Sequence, residues 1–275
     1  MQVENLISTM NQTTDSILDR MNIQSAAVVI NQCDHFEWRE YRKDGYPVRF
    51  FDCNERGVGL SRNNALMRAK GDICLFSDDD LTYFDGYALQ IAKAFEDISD
   101  ADAIVFNIHS KNNQKKRYQI TKVRRVHWFN YMRYGAARLA VRRESVLKAN
   151  ISFSLLFGGG TRYSCGEDTI FLHDCLNAGL HIYAVPITLA EVDDSSSTWF
   201  RGYNKKYLHD RGALYACILS LNGDNHETIC ERLNVPTTHE AVAVLLLGYS
   251  AEDTTDATSS ASVRNDMADK VSIIK

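Results

Sequence analysis

The sequence predicts an α/β fold in which a mostly parallel central sheet is flanked by helices. Short apolar runs of strand length alternate with amphipathic stretches through the first half of the chain, which is the pattern of such a sheet. One of these runs, residues 73–76, leads directly into three aspartates, and ligands of open α/β sheets bind at the carboxyl ends of strands. Apolar residues form 45% of the 275 positions, enough for a full-sized core.

The elements of the first half follow from this alternation. Apolar runs of strand length predict five strands, at residues 3–8, 26–30, 48–51, 73–76 and 103–108. Apolar side chains at helical spacing predict three helices, one around Ile17, one at residues 60–70 and one at residues 86–95. We expect residues 31–40 to form a loop and Gly71 to end the second helix in the left-handed conformation.

The second half of the chain is less regular. Its pattern predicts a strand at residues 138–141, a helix at 144–148, a glycine-rich loop at 157–168, a helix at 168–178 that ends at Gly179, and a strand at 181–185 before Pro186. After about residue 224 the pattern weakens. The last 25 residues, rich in Ser, Thr, Asp and Ala, predict a mobile polar tail.

Composition restricts the compartment and the partners. The net charge of −4 argues against a nucleic-acid-binding protein, which is usually basic. The seven cysteines contain no C-x-x-C pair, which is typical of reduced thiols in a cytoplasmic protein. No secretory leader is visible, and no apolar run approaches the ~20 residues that span a bilayer. We therefore expect a cytoplasmic protein, with at most a peripheral place at the membrane.

Asp78, Asp79 and Asp80 form the first candidate site. Adjacent carboxylates repel one another unless a cation compensates, and oxygen ligands suit Mg²⁺ or Mn²⁺. Strand alternation makes Asp78 and Asp80 point one way and Asp79 the other. The alternative is that the three acids only charge the start of the following helix.

Glu167 and Asp168 form the second candidate site, because they follow a glycine-rich loop and open an apolar helix. A carboxylate anchored there could accept a proton from an attacking hydroxyl. Acids in a first helical turn are also favoured by the helix dipole alone. The residues themselves do not show whether this pair meets the first cluster.

The stretch at 111–143 contains eleven Lys or Arg residues and no Asp or Glu. Together with its aromatic residues, it could hold an anionic glycan or a lipid diphosphate, and it could make peripheral contact with a membrane. The plain alternative is a solvated loop between strands, and RNA binding is disfavoured by the overall acidity.

The ordered set of motifs resembles the family 2 glycosyltransferases with the glycosyltransferase-A fold, of the type found in bacterial polysaccharide biosynthesis. Three stretches carry the resemblance, LISTMNQT at 6–13, NERGVGLSRNNALMRAKGDICLFSDDD at 54–80 and GEDTIFLHDCLNAG at 166–179. The likeness covers about residues 4–215. It implies a catalytic domain at 1–223, with a nucleotide-sugar-binding half at 1–110 and an acceptor-binding half at 111–223, followed by a helical extension and tail at 224–275.

The resemblance also implies roles for single residues. Thr9 and Asn11 would lie beside the nucleotide base, and Asp34 would pair with uracil. Arg62 and Asp79 would belong to the nucleotide site, with Asp78 at the ribose. Metal ligands would be Asp80, Asp78 and a third residue, for which the candidates are Asp194, Asp193 and His209. Catalytic roles would fall to Asp168 as the general base and to Glu167 as its neighbour.

The function implied is metal-dependent, inverting transfer of a sugar from a nucleotide-sugar, with UDP as the expected nucleotide, to a glycan or lipid-linked acceptor. Two alternatives stay open, a sugar nucleotidyltransferase and a catalytically inactive relative that serves as a scaffold. The first normally has a glycine-rich phosphate loop with a Lys or Arg after the first strand, which ISTMNQTTDS lacks. A phospho-accepting regulatory domain would be about half as long, with acids at its first strand.

Overall fold

The computed structural model describes residues 1–111, 118–193 and 204–220. The extension and tail expected from residue 224 therefore lie outside the described residues. The chain divides into two compact units, residues 1–155 with 167–197, and residues 156–166 with 198–275. Every described candidate residue except His209 belongs to the first unit.

Strands and helices alternate along the first unit. The strands are β1 (Val3–Met10), β2 (Ala26–Gln32), β3 (Glu37–Lys43), β4 (Tyr46–Cys53), β5 (Ile73–Asp78), β6 (Leu81–Tyr83), β7 (Ala103–Ser110), β8 (Arg124–Arg125), β9 (Leu139–Arg142) and β10 (Ile182–Val192). The helices are α1 (Ile17–Arg20), α2 (Val58–Arg68), α3 (Tyr87–Asp97), α4 (Arg143–Lys148) and α5 (Glu167–Asn177). In the second unit, α6 (Lys205–Ser220) is the helix of the described residues. Within those residues, no helix has both the length and the apolar character needed to cross a bilayer.

The strands form one mixed sheet in the order β3-β4-β2-β1-β5-β9-β7-β10-β6, with β8 beside β10. The block β4-β2-β1-β5 is parallel, whereas β9 runs antiparallel to both β5 and β7. The α/β prediction is thus confirmed. Because β4, β2, β1 and β5 are parallel, their carboxyl ends share one edge, the place where ligands of such sheets bind.

Both faces of the sheet are buried. Leu6 and Phe76 belong to the apolar cluster on one face, whereas their neighbours Ile7 and Leu75 belong to the cluster on the other. Successive strand residues point to opposite faces, so the near-continuous apolar runs that predicted these strands are the expected sequence of a doubly covered sheet.

The prediction of a loop at residues 31–40 is partly wrong, because β3 begins at Glu37 and pairs antiparallel with β4. Asp44 and Gly45 join the two strands, with φ of +49° and +84°. Two consecutive residues with positive φ are typical of the tight hairpin turn that Asp-Gly favours. The outer strand carries five charged residues and two aromatic ones, EWREYRK, and charged side chains are common on edge strands that resist further pairing.

Two expectations about where elements end are also wrong. The residue after α2 is Ala69 in an extended conformation, and Gly71 is not among the positive-φ glycines. A Cβ on Gly71 would lie 2.7 Å from the Glu4 Cβ, so close packing and not a left-handed turn requires glycine. Pro186 lies inside β10, where a shift of register between Ala184 and Thr188 interrupts the pairing with β7 and tolerates a residue without an N–H.

Gly59 in the first turn of α2 gives a test of this packing. A Cβ there would lie 2.3 Å from the Ser154 backbone oxygen. Helix propensity alone would favour Gly59→Ala by up to about 1 kcal/mol, but overpacking typically costs about 1–3 kcal/mol. We expect net destabilisation in urea unfolding. Gly159→Ala is the matched control, since nothing lies within 4 Å of its Cβ, and equal stability losses in both variants would contradict the packing.

Candidate functional site

The first acidic cluster lies where β5 ends, at the edge shared with β1. Ser8 of β1 is in register with Asp78, and the Thr9 hydroxyl donates to Oδ2 of Asp79 at 2.6 Å. Ser8 and Thr9 point to opposite faces of β1, so a carboxylate bound by Thr9 agrees with the expectation that Asp79 points away from Asp78. The chain turns directly after Asp78.

Arg62 joins the two acidic candidate sites. Its side chain, carried by α2, is buried. The Nη2 atom donates to Oδ1 of Asp78 at 2.8 Å, and the Nη1 atom donates to Oε1 of Glu167 at 2.9 Å. One guanidinium therefore holds a carboxylate from the end of β5 and a carboxylate from the start of α5. The two clusters meet, as a shared site requires.

Aromatic rings lie beside this guanidinium. The Arg62 Cζ atom is 5.3 Å from the centre of the Phe153 ring, which stacks on Phe171 at 4.1 Å. Asn63 fixes the Phe153 backbone by accepting from its N–H at 2.7 Å and donating to its carbonyl at 2.8 Å. Such surroundings exclude water and strengthen electrostatic interactions. Burial opposes the charge of Arg62, but Asp78 and Glu167 outweigh it and raise the pKa of the guanidinium.

Glu167 and Asp168 occupy the first turn of α5 and differ in their surroundings. Burial, and then the charge of Asp168, raise the pKa of Glu167 to about 7, although Arg62 pulls it down. Asp168 accepts from the Thr169 N–H through Oδ1 at 2.7 Å. Its Oδ2 atom would lie 3.2 Å from a Cβ at position 135. Gly135 thus leaves room beside the carboxylate that a side chain would restrict.

The raised pKa of Glu167 predicts a pH-dependent stability. The pKa rises from 4.5 to about 7 on folding, so the contribution of Glu167 is fully present below pH ~4.5 and is lost as the pH rises through ~7. We expect the free energy of unfolding to fall by roughly 1–3 kcal/mol between pH 5 and 8 through this group. Urea unfolding of the Glu167→Gln variant should lack this part of the slope, and identical slopes in the two proteins would contradict it.

Asp80 lies next to Asp193, a candidate metal ligand that directly follows β10. The Asp193 N–H donates to the Asp80 backbone oxygen at 3.2 Å, because β10 pairs antiparallel with β6 directly beyond Asp80. Two aspartates that are far apart in the sequence thus lie at hydrogen-bonded backbone positions. Carboxylate oxygens are ligands that suit Mg²⁺ or Mn²⁺. Asp194, the other candidate, lies outside the described residues. His209, in the second unit, has Nδ1 3.2 Å from Oδ1 of Asp210 and stacks on Tyr163.

The predicted base-binding residues lie at the same sheet edge. Asn11 has a φ of +53° and donates its N–H to the Gln32 oxygen at 3.0 Å. Asp34 follows β2, is almost fully exposed, and lies 3.0 Å from Nδ1 of His35. The ligand atoms of Cys33, Asp34 and His35 lie within 4.8 Å of one another. Within the described chain, Asp78, Asp79 and Asp80 do not form such a group, since Arg62 and Thr9 draw the first two apart.

A buried polar network at this edge was not foreseen. Asn31 donates from Nδ2 to Oδ1 of Asp52 at 2.6 Å and to the Gln12 oxygen at 2.8 Å, and it accepts from the Gln12 N–H at 2.9 Å. Arg39 donates to Oδ2 of Asp52 at 2.8 Å. This network fixes the loop after β1. The signal was present, because Asn31 and Asp52 end apolar strand runs, where polar residues face ligands.

Comparison with known families decides the identity. The family model described as Glycosyl transferase family 2 matches residues 8–155, more than half of the chain. The chain belongs to glycosyl transferase family 2. The match begins within β1, at residue 8, and covers α2 and the acidic cluster at the end of β5, which agrees with the resemblance found in the sequence. It ends before α5, so Glu167 and Asp168 lie outside the matched residues.

Solved structures similar to this family 2 glycosyltransferase show the same fold. The crystal structure of S. aureus TarS has a TM-score of 0.60 and 17% identity over 92% of this chain and 46% of the TarS chain. The chain therefore spans less than half of that protein. TarS 1–349 in complex with UDP-GlcNAc has a TM-score of 0.59 and 14% identity over 98% of this chain and 79% of that one. No curated protein matches the chain.

Proposed function

We propose that this family 2 enzyme is an inverting glycosyltransferase that moves a sugar from a UDP-sugar to a hydroxyl of a glycan or lipid-linked acceptor. The observation that carries the proposal is the Arg62 guanidinium, which holds Asp78 at 2.8 Å and Glu167 at 2.9 Å. This guanidinium links the sheet edge, which is suited to bind a nucleotide, with the start of α5, which is suited to hold a catalytic general base. The complex of S. aureus TarS with UDP-GlcNAc supports the choice of UDP.

In this proposal, residues 1–110 bind the donor and residues 111–223 bind the acceptor. Thr9, Asn11 and Asp34 lie at the shared carboxyl edge of β1 and β2, where the nucleotide base would bind. Asp78 would contact the ribose from the end of β5. Arg62 would hold Asp78 and Glu167 in place.

Asp168 is the proposed general base. An acceptor hydroxyl oxygen attacks the anomeric carbon, and the bond from that carbon to the diphosphate oxygen breaks as the new bond forms. The hydroxyl proton passes to the Asp168 carboxylate, and UDP leaves with the bonding electron pair. A single displacement inverts the anomeric configuration, so an α-linked donor gives a β-linked product. Glu167 is the neighbour of Asp168, and its charge, which depends on pH near 7, would act on the Asp168 carboxylate.

The residues present fit a divalent cation. Asp80 and Asp193 supply carboxylates from hydrogen-bonded backbone positions, and these two residues would hold Mn²⁺ or Mg²⁺. Oδ1 of Asp78 is engaged by Arg62, which leaves Asp78 the weaker candidate ligand. A bound cation would offset the negative charge that develops on the departing diphosphate.

The decisive experiment incubates the purified chain with a panel of nucleotide-sugars and measures nucleotide release with Mn²⁺, Mg²⁺ or EDTA. We expect UDP release from one UDP-sugar, and its loss on chelation. Asp80→Asn should weaken activation by Mn²⁺, whereas Asp97→Asn, an exposed acid on α3, is the control. Turnover that persists in EDTA would remove the cation, and no release from any donor would support an inactive scaffold.

A further inference from the structure

The basic stretch at 111–143 contains cations of two kinds. Arg138 donates to the backbone oxygens of Tyr118 and Arg133, and Arg142 donates to those of Ala101 and Phe95. These arginines tie loops to the sheet and are unavailable to a partner. Lys122 and Arg125, by contrast, are exposed, and they lie among exposed apolar side chains.

Exposed apolar side chains lie close to these two cations in the sequence. Val123 is 55% exposed and Phe129 is 74% exposed, and Trp128 is half-exposed. We call Lys122, Val123, Arg125, Trp128 and Phe129 the basic-aromatic surface. Single exposed apolar residues are ordinary, but three within seven positions beside two cations mark an interaction surface.

The sheet holds the basic-aromatic surface in place. Arg125 of β8 is in register with Tyr183 of β10, and the Val126 N–H donates to the Ile182 oxygen at 2.8 Å. Trp128 lies edge-on to His173 of α5, with ring centres 5.1 Å apart. The apolar tips therefore need little further ordering on binding, which lowers the entropic cost of association.

We propose that the basic-aromatic surface binds an anionic lipid bilayer, with Val123, Trp128 and Phe129 entering the headgroup region. Exposed Trp and Phe beside Lys and Arg are the composition of interfacial membrane contacts. An aliphatic side chain such as Val123 does not stack on bases or sugars, and the net charge of −4 disfavours a polynucleotide. The chemistry thus favours lipid over RNA or a soluble glycan.

The position relative to the proposed base fits a lipid-linked acceptor, and in this respect the inference rests on the proposed function. His173, which Trp128 contacts, lies five residues after Asp168 on α5, a rise of about 8 Å along the helix. Two carboxylates occur nearby, Asp100 bound to Tyr183 at 2.9 Å and Asp174 beside His173 at 3.4 Å. Each of these two carboxylates is therefore already engaged by a neighbouring side chain, Asp100 by Tyr183 and Asp174 by His173.

Sedimentation with vesicles tests the lipid surface without donor or acceptor. We expect binding to vesicles of mixed phosphatidylglycerol and phosphatidylcholine, weak binding to phosphatidylcholine alone, and loss of binding at high salt. Lys122→Glu/Arg125→Glu should weaken binding at least ~25-fold, since each basic residue is worth about fivefold. Lys93→Glu/Lys148→Glu makes the same change of charge elsewhere and should have a much smaller effect.

The apolar part is tested separately. Val123→Ser/Phe129→Ser should reduce vesicle binding, whereas Met67→Ser/Leu89→Ser, which removes two equally exposed apolar side chains from α2 and α3, should not. With Trp38 and Trp199 replaced by phenylalanine, the emission of Trp128 should shift to shorter wavelength when vesicles are added. Equal binding to neutral and anionic vesicles, no binding to either, or preference for RNA or a soluble anionic glycan would overturn the inference.

These outcomes are separable from the chemistry. UDP release is measured in solution, so failure of vesicle binding with intact donor turnover would reject the lipid surface alone. Loss of turnover with intact vesicle binding would reject the proposed transfer and leave the surface standing.

Discussion

Asp168→Asn should lower kcat by about 10²–10⁴-fold, the usual contribution of a positioned proton acceptor. Asparagine keeps the oxygen that accepts from the Thr169 N–H at 2.7 Å, so the start of α5 should stay intact. The amide cannot take up the acceptor proton. Because the sugar donor binds at the sheet edge in our proposal, its affinity should change little.

The measurement combines steady-state kinetics with calorimetric binding of UDP. A loss confined to kcat, with unchanged affinity for UDP, would assign Asp168 to the chemical step. Asp174→Asn is the matched control, an aspartate on the same helix that contacts His173 at 3.4 Å, and it should retain nearly full activity. If Asp168→Asn stays within tenfold of the parent enzyme, Asp168 is not the base.

The sequence predicted the parallel part of the fold well, because burial on both faces leaves a direct trace in composition. Residues 73–76 were expected as a strand, and β5 runs from Ile73 to Asp78. The two additional residues are polar, and their strand conformation depends on pairing with β1. Apolar runs report the buried part of a strand, whereas its ends are set by the neighbouring strand.

The outer hairpin could have been predicted, whereas the bridge at Arg62 could not. Asp44-Gly45 is a local turn signal, and the charge-rich segment EWREYRK that precedes it is typical of an edge strand. The contact of Arg62 with Glu167, in contrast, spans 105 positions. It exists because α2 and α5 pack near the same edge of the sheet, which local periodicity does not encode.

The pairing of Thr9 with Asp79 is an intermediate case. The register of β1 with β5 pairs Ser8 with Asp78, so Thr9 comes opposite Asp79 as soon as the two strands are known to be neighbours. Strand alternation predicts that Asp79 points away from Asp78, and the bond to Thr9 agrees with that direction. The identity of the partner depends on the strand order, which the sequence alone did not supply.

Arg62→Met should destabilise the protein by about 3–5 kcal/mol, the usual cost of removing one partner of a buried ion pair. Methionine preserves much of the apolar stem against Phe153 but leaves two carboxylates without their cation. The part of the loss that comes from Glu167, whose side chain is 12% exposed, should grow as the pH rises through ~7, because this carboxyl is largely protonated at lower pH. Asp78 is 37% exposed, so water compensates it in part. Urea unfolding measures the loss directly.

The double variant Arg62→Met/Glu167→Gln identifies the cause. Removing the stranded carboxylate should restore part of the stability lost in Arg62→Met, a coupling that independent sites would not show. Arg62→Lys should fall between the parent and Arg62→Met, because an ammonium is a point charge and lacks the fork that bonds two carboxylates. Arg56→Met, at an exposed arginine just before α2, should be nearly neutral. Strictly additive losses in the double variant would show that the guanidinium does not stabilise the fold through Glu167.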